Sequence, residues 1–155
     1  MKVNYSNVTK NEEVIAKYEE LVPQRNVYKI TYIDNKDNTI TINVTLTGTV
    51  NLAAFEGNLK WDKSQLSFVS LSEVEDSKFE DITLNSDNAS SDGVVYFSFA
   101  KTKNITASDQ GVFELVLSYS GTVDDNIVLT IDDISDAGYE TETCSVNGGH
   151  IVVGN

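Results

Sequence analysis

The residue types that most often carry enzymatic or metal chemistry are scarce in this sequence. The 155-residue chain has one cysteine, Cys144, and one histidine, His150. A single cysteine excludes an internal disulfide and any zinc site built from cysteines, and a single histidine leaves little for a catalytic triad or a metal cluster. The sequence also lacks a glycine-rich phosphate loop, a Gly-x-Ser-x-Gly elbow and a His-Glu-x-x-His pair. We therefore predict that this protein is not an enzyme.

Carboxylates are the one reactive group present in number. Paired carboxylates could serve glycoside hydrolysis, and Asp124-Asp125 and Asp132-Asp133 are adjacent pairs. Both pairs fall at a strand end or in a turn, where acids are usually only solvated. Asp87, Asn88 and Asp92 offer the oxygen ligands that calcium prefers, but their spacing is not that of an EF-hand. We predict no catalytic residue, no metal ligand and no cofactor in this chain.

The charge balance narrows the possible partners. The chain has 24 acidic and 11 basic residues, for a net charge of −13. Such a surface repels phosphate backbones, so we predict no nucleic-acid binding. No apolar run approaches the roughly 20 residues of a transmembrane helix, so we predict no membrane insertion. The first residues contain no apolar stretch suitable for a signal peptide, so either an export signal lies outside this stretch or the chain is cytosolic.

Two aromatic residues bear on whether the protein binds carbohydrate. In residues 53–61, Trp61 shares the phase of Leu59, and strand alternation turns both toward a core. In residues 93–101, Tyr96 takes the opposite phase from its apolar neighbours and points outward. One exposed aromatic is too few for a sugar platform and is enough to anchor a protein contact.

The elements that must position these residues are almost all strands. The spacing of apolar residues in 11–22 predicts one amphipathic helix, which is expected to end before Pro23. With 40% apolar residues the chain can bury a core, and the remaining segments are rich in β-branched residues separated by polar turns. We predict an all-β fold, a nine-stranded antiparallel β-sandwich with one N-terminal helix. The predicted strands are residues 27–33, 39–48, 53–61, 66–74, 79–86, 93–101, 111–120, 126–133 and 144–153.

The order of four motifs resembles that of a cohesin domain. Residues 39–70 contain an alternating strand and then a strand that ends in Trp61-Asp62. Residues 92–102 read DGVVYFSFAKT, and residues 111–120 begin Gly-Val-Phe. The last two strands follow, with Asn-Gly-Gly before the closing one. The resemblance covers about residues 27–155, leaves residues 1–26 as an N-terminal extension with the helix, and departs from the family at Gly57, where cohesins often carry a bulky residue.

The resemblance implies a jelly-roll sandwich that binds a dockerin, a small calcium-loaded helical module appended to secreted enzymes. In the family, one sheet face accepts the dockerin, and that face corresponds here to residues 53–61, 79–86, 93–101 and 126–133. Strand alternation gives the outward side chains of these segments. They are Ala54, Glu56, Asn58, Phe79, Asp81, Thr83, Asn85, Tyr96, Ser98, Thr130, Asp132 and Asp133. Among them, Glu56 and Asn58 are the expected polar contacts, and Phe79 and Tyr96 the expected apolar anchors.

The function that follows is a non-catalytic protein-protein docking module. It would tether dockerin-bearing secreted enzymes, which degrade polysaccharide, to a larger scaffold protein outside the cell or at a bacterial cell surface. Calcium is expected on the dockerin and not on this chain. A carbohydrate-binding module of similar sandwich fold is the alternative.

Overall fold

The computed structural model describes residues 25–154, and these residues form a β-sandwich. The predicted helix at residues 11–22, and with it most of the predicted extension 1–26, lies outside the described residues. The strands are β1 Val27–Asp34, β2 Thr39–Thr47, β3 Thr49–Lys60, β4 Leu66–Ser72, β5 Thr83–Asn85, β6 Val94–Ala107, β7 Gln110–Tyr119, β8 Val123–Asn126, β9 Val128–Ser135, β10 Ser145–Gly148 and β11 His150–Val153, and one short helix, α1, spans Ala89–Asp92.

Two main sheets pack against each other. One has five strands in the order β10-β1-β2-β7-β4, and the other has four strands in the order β5-β6-β3-β9. A two-stranded ribbon of β11 and β8 completes the sandwich. Tyr32 ties this ribbon to the five-stranded sheet, because its hydroxyl donates to the carbonyl oxygen of Val152 at 3.1 Å.

The core lies between the sheets because apolar residues alternate with polar ones along the strands. In β2 the even positions from Ile40 to Leu46 are fully buried, and the intervening threonines and asparagine are half-buried on the outer side. Phe55 lies at the centre of an aromatic cluster, with its ring centroid 5.3–6.0 Å from those of four other aromatic side chains. Those side chains are Tyr28, Phe79, Phe97 and Phe99.

The all-β sandwich predicted from the sequence is confirmed, with differences in detail. The described residues form eleven strands and not nine, because residues 123–126 pair separately with β11 and because the last predicted strand bends at Gly148 and Gly149, both at positive φ. One pairing is parallel: β1 runs alongside β10 in the same direction, whereas the prediction was purely antiparallel. No helix among residues 25–154 is both long and apolar enough to cross a membrane.

The prediction that Phe79 faces outward is wrong. The side chain is fully buried and contacts the rings of Phe55 and Phe99. The predicted strand 79–86 is a strand only over Thr83–Asn85, and a turn precedes it in which the amide of Ile82 donates to the carbonyl oxygen of Phe79 at 3.0 Å. A turn interrupts the two-residue period, so Phe79 and Ile82 both point into the core.

Candidate functional site

The outer side of the sheet β5-β6-β3-β9, called here the four-stranded face, collects most of the side chains that the sequence singled out. Its residues stand in register across neighbouring strands. Asn58 on β3 lies between Tyr96 on β6 and Thr130 on β9, and Glu56 lies between Ser98 and Asp133. Antiparallel pairing puts such residues side by side on one surface. The predicted residues on this face are Ala54, Glu56, Asn58, Thr83, Asn85, Tyr96, Ser98, Thr130, Asp132 and Asp133.

A β-bulge on β9 places two carboxylates on the four-stranded face. Glu56 pairs with Asp133 and Gly57 pairs with Ile131, so Asp132 is the extra residue between them. Asp132 and Asp133 are consequently both exposed. Glycine at position 57 permits this arrangement, since a Cβ there would lie 2.1 Å from the carbonyl oxygen of Thr130.

Tyr96 is the exposed aromatic side chain of the face, and the polar Asn58 is its cross-strand neighbour. Tyr96 keeps 42% of its surface exposed, so the outward orientation predicted from alternation is confirmed. The amide nitrogen of Asn58 lies 3.5 Å from a carboxylate oxygen of Asp132. Its amide oxygen is buried and has no hydrogen-bond partner among residues 25–154.

Asp81 lies at the margin of the face, where it forms an ion pair with Lys101. The hydrogen bond from the Lys101 ammonium lowers the pKa of the Asp81 carboxyl below its ordinary value, so this carboxylate is ionised at neutral pH. The same ammonium lies 5.7 Å from the ring centroid of Phe99. The pair therefore fixes one positive and one negative charge beside β6.

The face is concave rather than flat. One depression of about 370 Å³ is bounded by Ala54, Glu56, Asp81, Ala100 and Asp133, among others. A second, of about 400 Å³, includes Tyr96, Asn85 and Asp132 in its wall and shares Glu56 with the first. Acidic side chains thus line both hollows, and no histidine or cysteine lines either one.

The remaining candidates lie away from this face or in the core. Trp61 is only 6% exposed and donates its indole N–H to the carbonyl oxygen of Leu66 at 3.1 Å, which confirms the core position predicted for it. Burial raises the pKa of the Cys144 thiol, which keeps it in the unreactive protonated form. His150 and Asp124 interact across the ribbon at 2.6 Å, with both side chains exposed.

Within residues 25–154, no group of three or more His, Cys, Asp and Glu side chains is arranged to hold a metal ion. The expectation that this chain needs no metal or cofactor stays a prediction.

Two residues of the four-stranded face were missed by the sequence reasoning. Ala100 is exposed on β6 and follows the alternating phase of Tyr96 and Ser98. Val128 is 54% exposed on β9, opposite Lys60 on β3. The same alternation would have found both, since Ala100 lies two residues beyond Ser98 and Val128 two residues before Thr130.

The architecture has clear counterparts among solved structures. The sixth cohesin of scaffoldin B from Acetivibrio cellulolyticus, in complex with a mutant Cel5 dockerin, superposes with a TM-score of 0.67 at 13% identity over 82% of this chain and 97% of that one. A type I cohesin–dockerin complex from Clostridium thermocellum gives 0.60 at 14% identity, covering 78% and 94%. A non-cellulosomal cohesin from the archaeon Archaeoglobus fulgidus gives 0.61 at 10% identity, covering 83% and 88%.

Sequence comparison adds nothing to these likenesses. No protein-family model matches the chain. No curated protein matches it either. At such low identities the structural likeness establishes the fold, and the cohesin fold implied by the sequence resemblance is confirmed.

Proposed function

We propose that this chain is a non-catalytic docking module that binds a calcium-loaded dockerin through its four-stranded face. The observation that carries the proposal is its cohesin fold, shared with several cohesins whose structures were solved in complex with dockerins. The sequence resemblance points to the same partner independently of the structure.

The composition of the four-stranded face supports its assignment as the docking surface. Tyr96 and Val128 expose apolar surface, and amides, hydroxyls and carboxylates surround them. Protein interfaces typically combine an aromatic anchor with such a polar rim. The side chains stand on paired strands, so the surface is ordered before the partner arrives and little conformational entropy is lost on binding.

Nothing on this face favours the carbohydrate-binding alternative. A sugar platform needs several exposed aromatic rings in a row. Trp61 is buried, and Tyr96 is the single aromatic side chain that residues 25–154 expose on the four-stranded face. A lone tyrosine among carboxylates suits a protein surface better than a polysaccharide chain.

Calcium belongs to the partner in this proposal, because dockerins are calcium-loaded. The chain would act as one module of a larger extracellular scaffold protein and would bring dockerin-bearing enzymes to it. The Archaeoglobus fulgidus cohesin is non-cellulosomal, so the larger scaffold protein need not belong to a cellulosome.

The test is calorimetric titration of the chain against a panel of calcium-loaded dockerins, with and without EDTA. We expect nanomolar to micromolar binding by at least one dockerin and its loss in EDTA, while the thermal stability of this chain alone is unchanged by EDTA. Retention of the chain on insoluble cellulose or starch, with no dockerin binding, would contradict the proposal.

Replacing Tyr96 by alanine tests the face. We expect Tyr96→Ala to weaken dockerin binding about 30-fold or more, the loss typical of an aromatic hot spot, with little change in stability because the side chain is partly exposed. Tyr139→Ala is the matched control, because Tyr139 is 93% exposed in the turn after β9 and lies off the face. Equal affinities of the two variants would place the docking surface elsewhere.

A further inference from the structure

The 370 Å³ depression on the four-stranded face, called here the notch, has an apolar floor. Ala54 on β3 and Ala100 on β6 are directly paired, and their small side chains leave the outer side of the two strands open there, while the rings of Phe55 and Phe99 point into the core. The volume falls within the range of about 300–1,000 Å³ that is common for ligand pockets. The notch can therefore receive a long side chain with an aliphatic stem.

Two carboxylates on the wall of the notch have no cationic partner within residues 25–154. Glu56 and Asp133 are direct neighbours on adjacent strands and both line the notch. The contacts between basic and acidic side chains among the described residues are Lys36–Asp34, Lys101–Asp81 and His150–Asp124. The third carboxylate at the notch, Asp81, is thus already balanced by Lys101, whereas Glu56 and Asp133 are not.

Glu56 and Asp133 place two like charges on directly opposite residues of one sheet face. Like charges placed directly opposite each other on one sheet face repel, by amounts comparable to other cross-strand pair effects. The β9 bulge adds Asp132 beside the same pair. A cation that entered the notch would remove the repulsion and gain two charge-assisted hydrogen bonds.

We propose that the notch binds an arginine side chain of the partner. An arginine stem can pack on the side chains of Ala54 and Ala100, since long cationic side chains commonly cover apolar surface with their stems. Its planar guanidinium is weakly hydrated and carries five donors, which suits two carboxylates and the neighbouring hydroxyls of Ser98 and Thr83. Lysine presents a single, strongly hydrated ammonium and fits this donor requirement less well. The inference rests on the proposed function, since the dockerin supplies the arginine.

The first experiment needs no dockerin. The ¹⁵N-labelled chain is titrated with N-acetyl-arginine methylamide in 150 mM NaCl, and amide chemical shifts are followed. We expect saturable shifts confined to amides around Ala54, Ala100 and Asp133, with the uncharged isostere N-acetyl-citrulline methylamide binding about tenfold more weakly. Equal binding of the two compounds, or shifts spread over the whole acidic surface, would overturn the proposal.

Matched variants separate the charge from the shape of the notch. Glu56→Gln/Asp133→Asn removes both carboxylates, and Ala100→Leu fills the space while leaving the charges in place. We expect each to abolish the localised shifts, and the double variant to be at least as stable as the original chain. Asp87→Asn/Asp109→Asn, which removes two exposed carboxylates outside the notch, should leave the shifts unchanged.

The same variants are then titrated with any dockerin that binds the original chain. We expect Ala100→Leu and the Glu56/Asp133 double variant to weaken that binding tenfold or more. A dockerin that binds the original chain and is indifferent to both variants would overturn the arginine assignment and leave the docking function intact. Localised arginine binding without any dockerin binding would support the arginine site and contradict the docking function.

Discussion

Tyr96 is the residue on which the proposed docking depends most, because it is the large aromatic side chain that the four-stranded face holds out to solvent. Its neighbours in the sequence, Val95 and Phe97, are buried. The alternation that buries these two side chains also exposes Tyr96. The same strand therefore contributes both to the core and to the proposed docking surface. Phe79 shows the opposite case, an aromatic residue whose side chain belongs to the core although its segment belongs to the edge of the face.

Replacing Phe79 by alanine should therefore affect folding and not recognition. The side chain is fully buried against Phe55 and Phe99, so Phe79→Ala should lower the free energy of unfolding by about 3–5 kcal/mol. Denaturant unfolding measures the loss. Ile33→Ala, at an apolar side chain that is 58% exposed, is the control and should change stability by about 0.5 kcal/mol or less. A Phe79→Ala variant that is stable but binds dockerin more weakly would contradict this and would show that Phe79 contacts the dockerin.

At the level of elements, the docking surface depends on how β3 meets β9. The two strands slip by one residue between Glu56 and Gly57, and this slip exposes Asp132 together with Asp133. The slip is possible because residue 57 is a glycine. The backbone of Thr130 passes through the space that a side chain at position 57 would occupy. One glycine thus shapes both the packing of an edge strand and the charge of the face.

Gly57→Ala should test this dependence. The added Cβ would lie 2.1 Å from the Thr130 carbonyl oxygen, so β9 has to move and the free energy of unfolding should fall by about 1–3 kcal/mol. Because Asp132 and Asp133 move with the strand, dockerin binding should weaken as well. Gly138→Ala is the control, since the nearest atom there is a side-chain oxygen of Asp136 at 3.3 Å. Equal free energies of unfolding for the two variants would show that β9 can shift without loss of stability.

The turn between β1 and β2 makes a prediction about pH. The backbone N–H of Lys36 and the hydroxyl of Tyr119, at 2.9 Å, both donate to the Asp34 carboxylate and lower its pKa below its ordinary value. A lowered pKa in the folded state stabilises the fold above the unfolded pKa, about 3.9, and this contribution is lost as the pH falls through the folded value.

Asp34→Asn should accordingly be less stable than the original chain at pH 7, and the difference should shrink as the pH falls below about 4. Urea unfolding midpoints at several pH values measure this. Asp109→Asn, at an exposed position, is the comparison and should show no such convergence. A difference between Asp34→Asn and the original chain that stays constant down to pH 2 would contradict the assignment.

At the level of the whole molecule, the net charge of −13 defines how a partner approaches. The acidic field attracts a partner with a basic docking surface and repels nucleic acid and other acidic macromolecules. Such fields raise association rates and specificity more than they raise affinity. The four-stranded face carries its share of this charge in Glu56, Asp132 and Asp133.

Dockerin association should therefore slow with added salt. Between about 20 and 500 mM NaCl the screening length falls from well above 10 Å to below it, and we expect the association rate constant to fall about tenfold or more. Stopped-flow fluorescence measures the rate. The Glu56→Gln/Asp133→Asn variant should show a shallower dependence. An association rate that does not respond to salt would show that steering plays no part.

The sequence by itself determined the class of the molecule and the orientation of most of its strand residues. Composition and motif content predicted no nucleic-acid binding and pointed away from catalysis. Period-two alternation oriented Trp61 inward and Tyr96 outward, and both orientations are confirmed. The signal is reliable there because consecutive side chains of a regular strand must point to opposite faces, whatever the partner strand is.

Tertiary structure alone decided the features in which regular alternation fails. The turn that buries Phe79 is held by Ser77, whose hydroxyl donates to the carbonyl oxygen of Gly111, 34 residues away. The bulge at Asp132 depends on the register between β3 and β9, and the notch depends on Ala100 lying beside Ala54. Register and inter-strand contacts join residues far apart in the chain, so local periodicity contains no information about them.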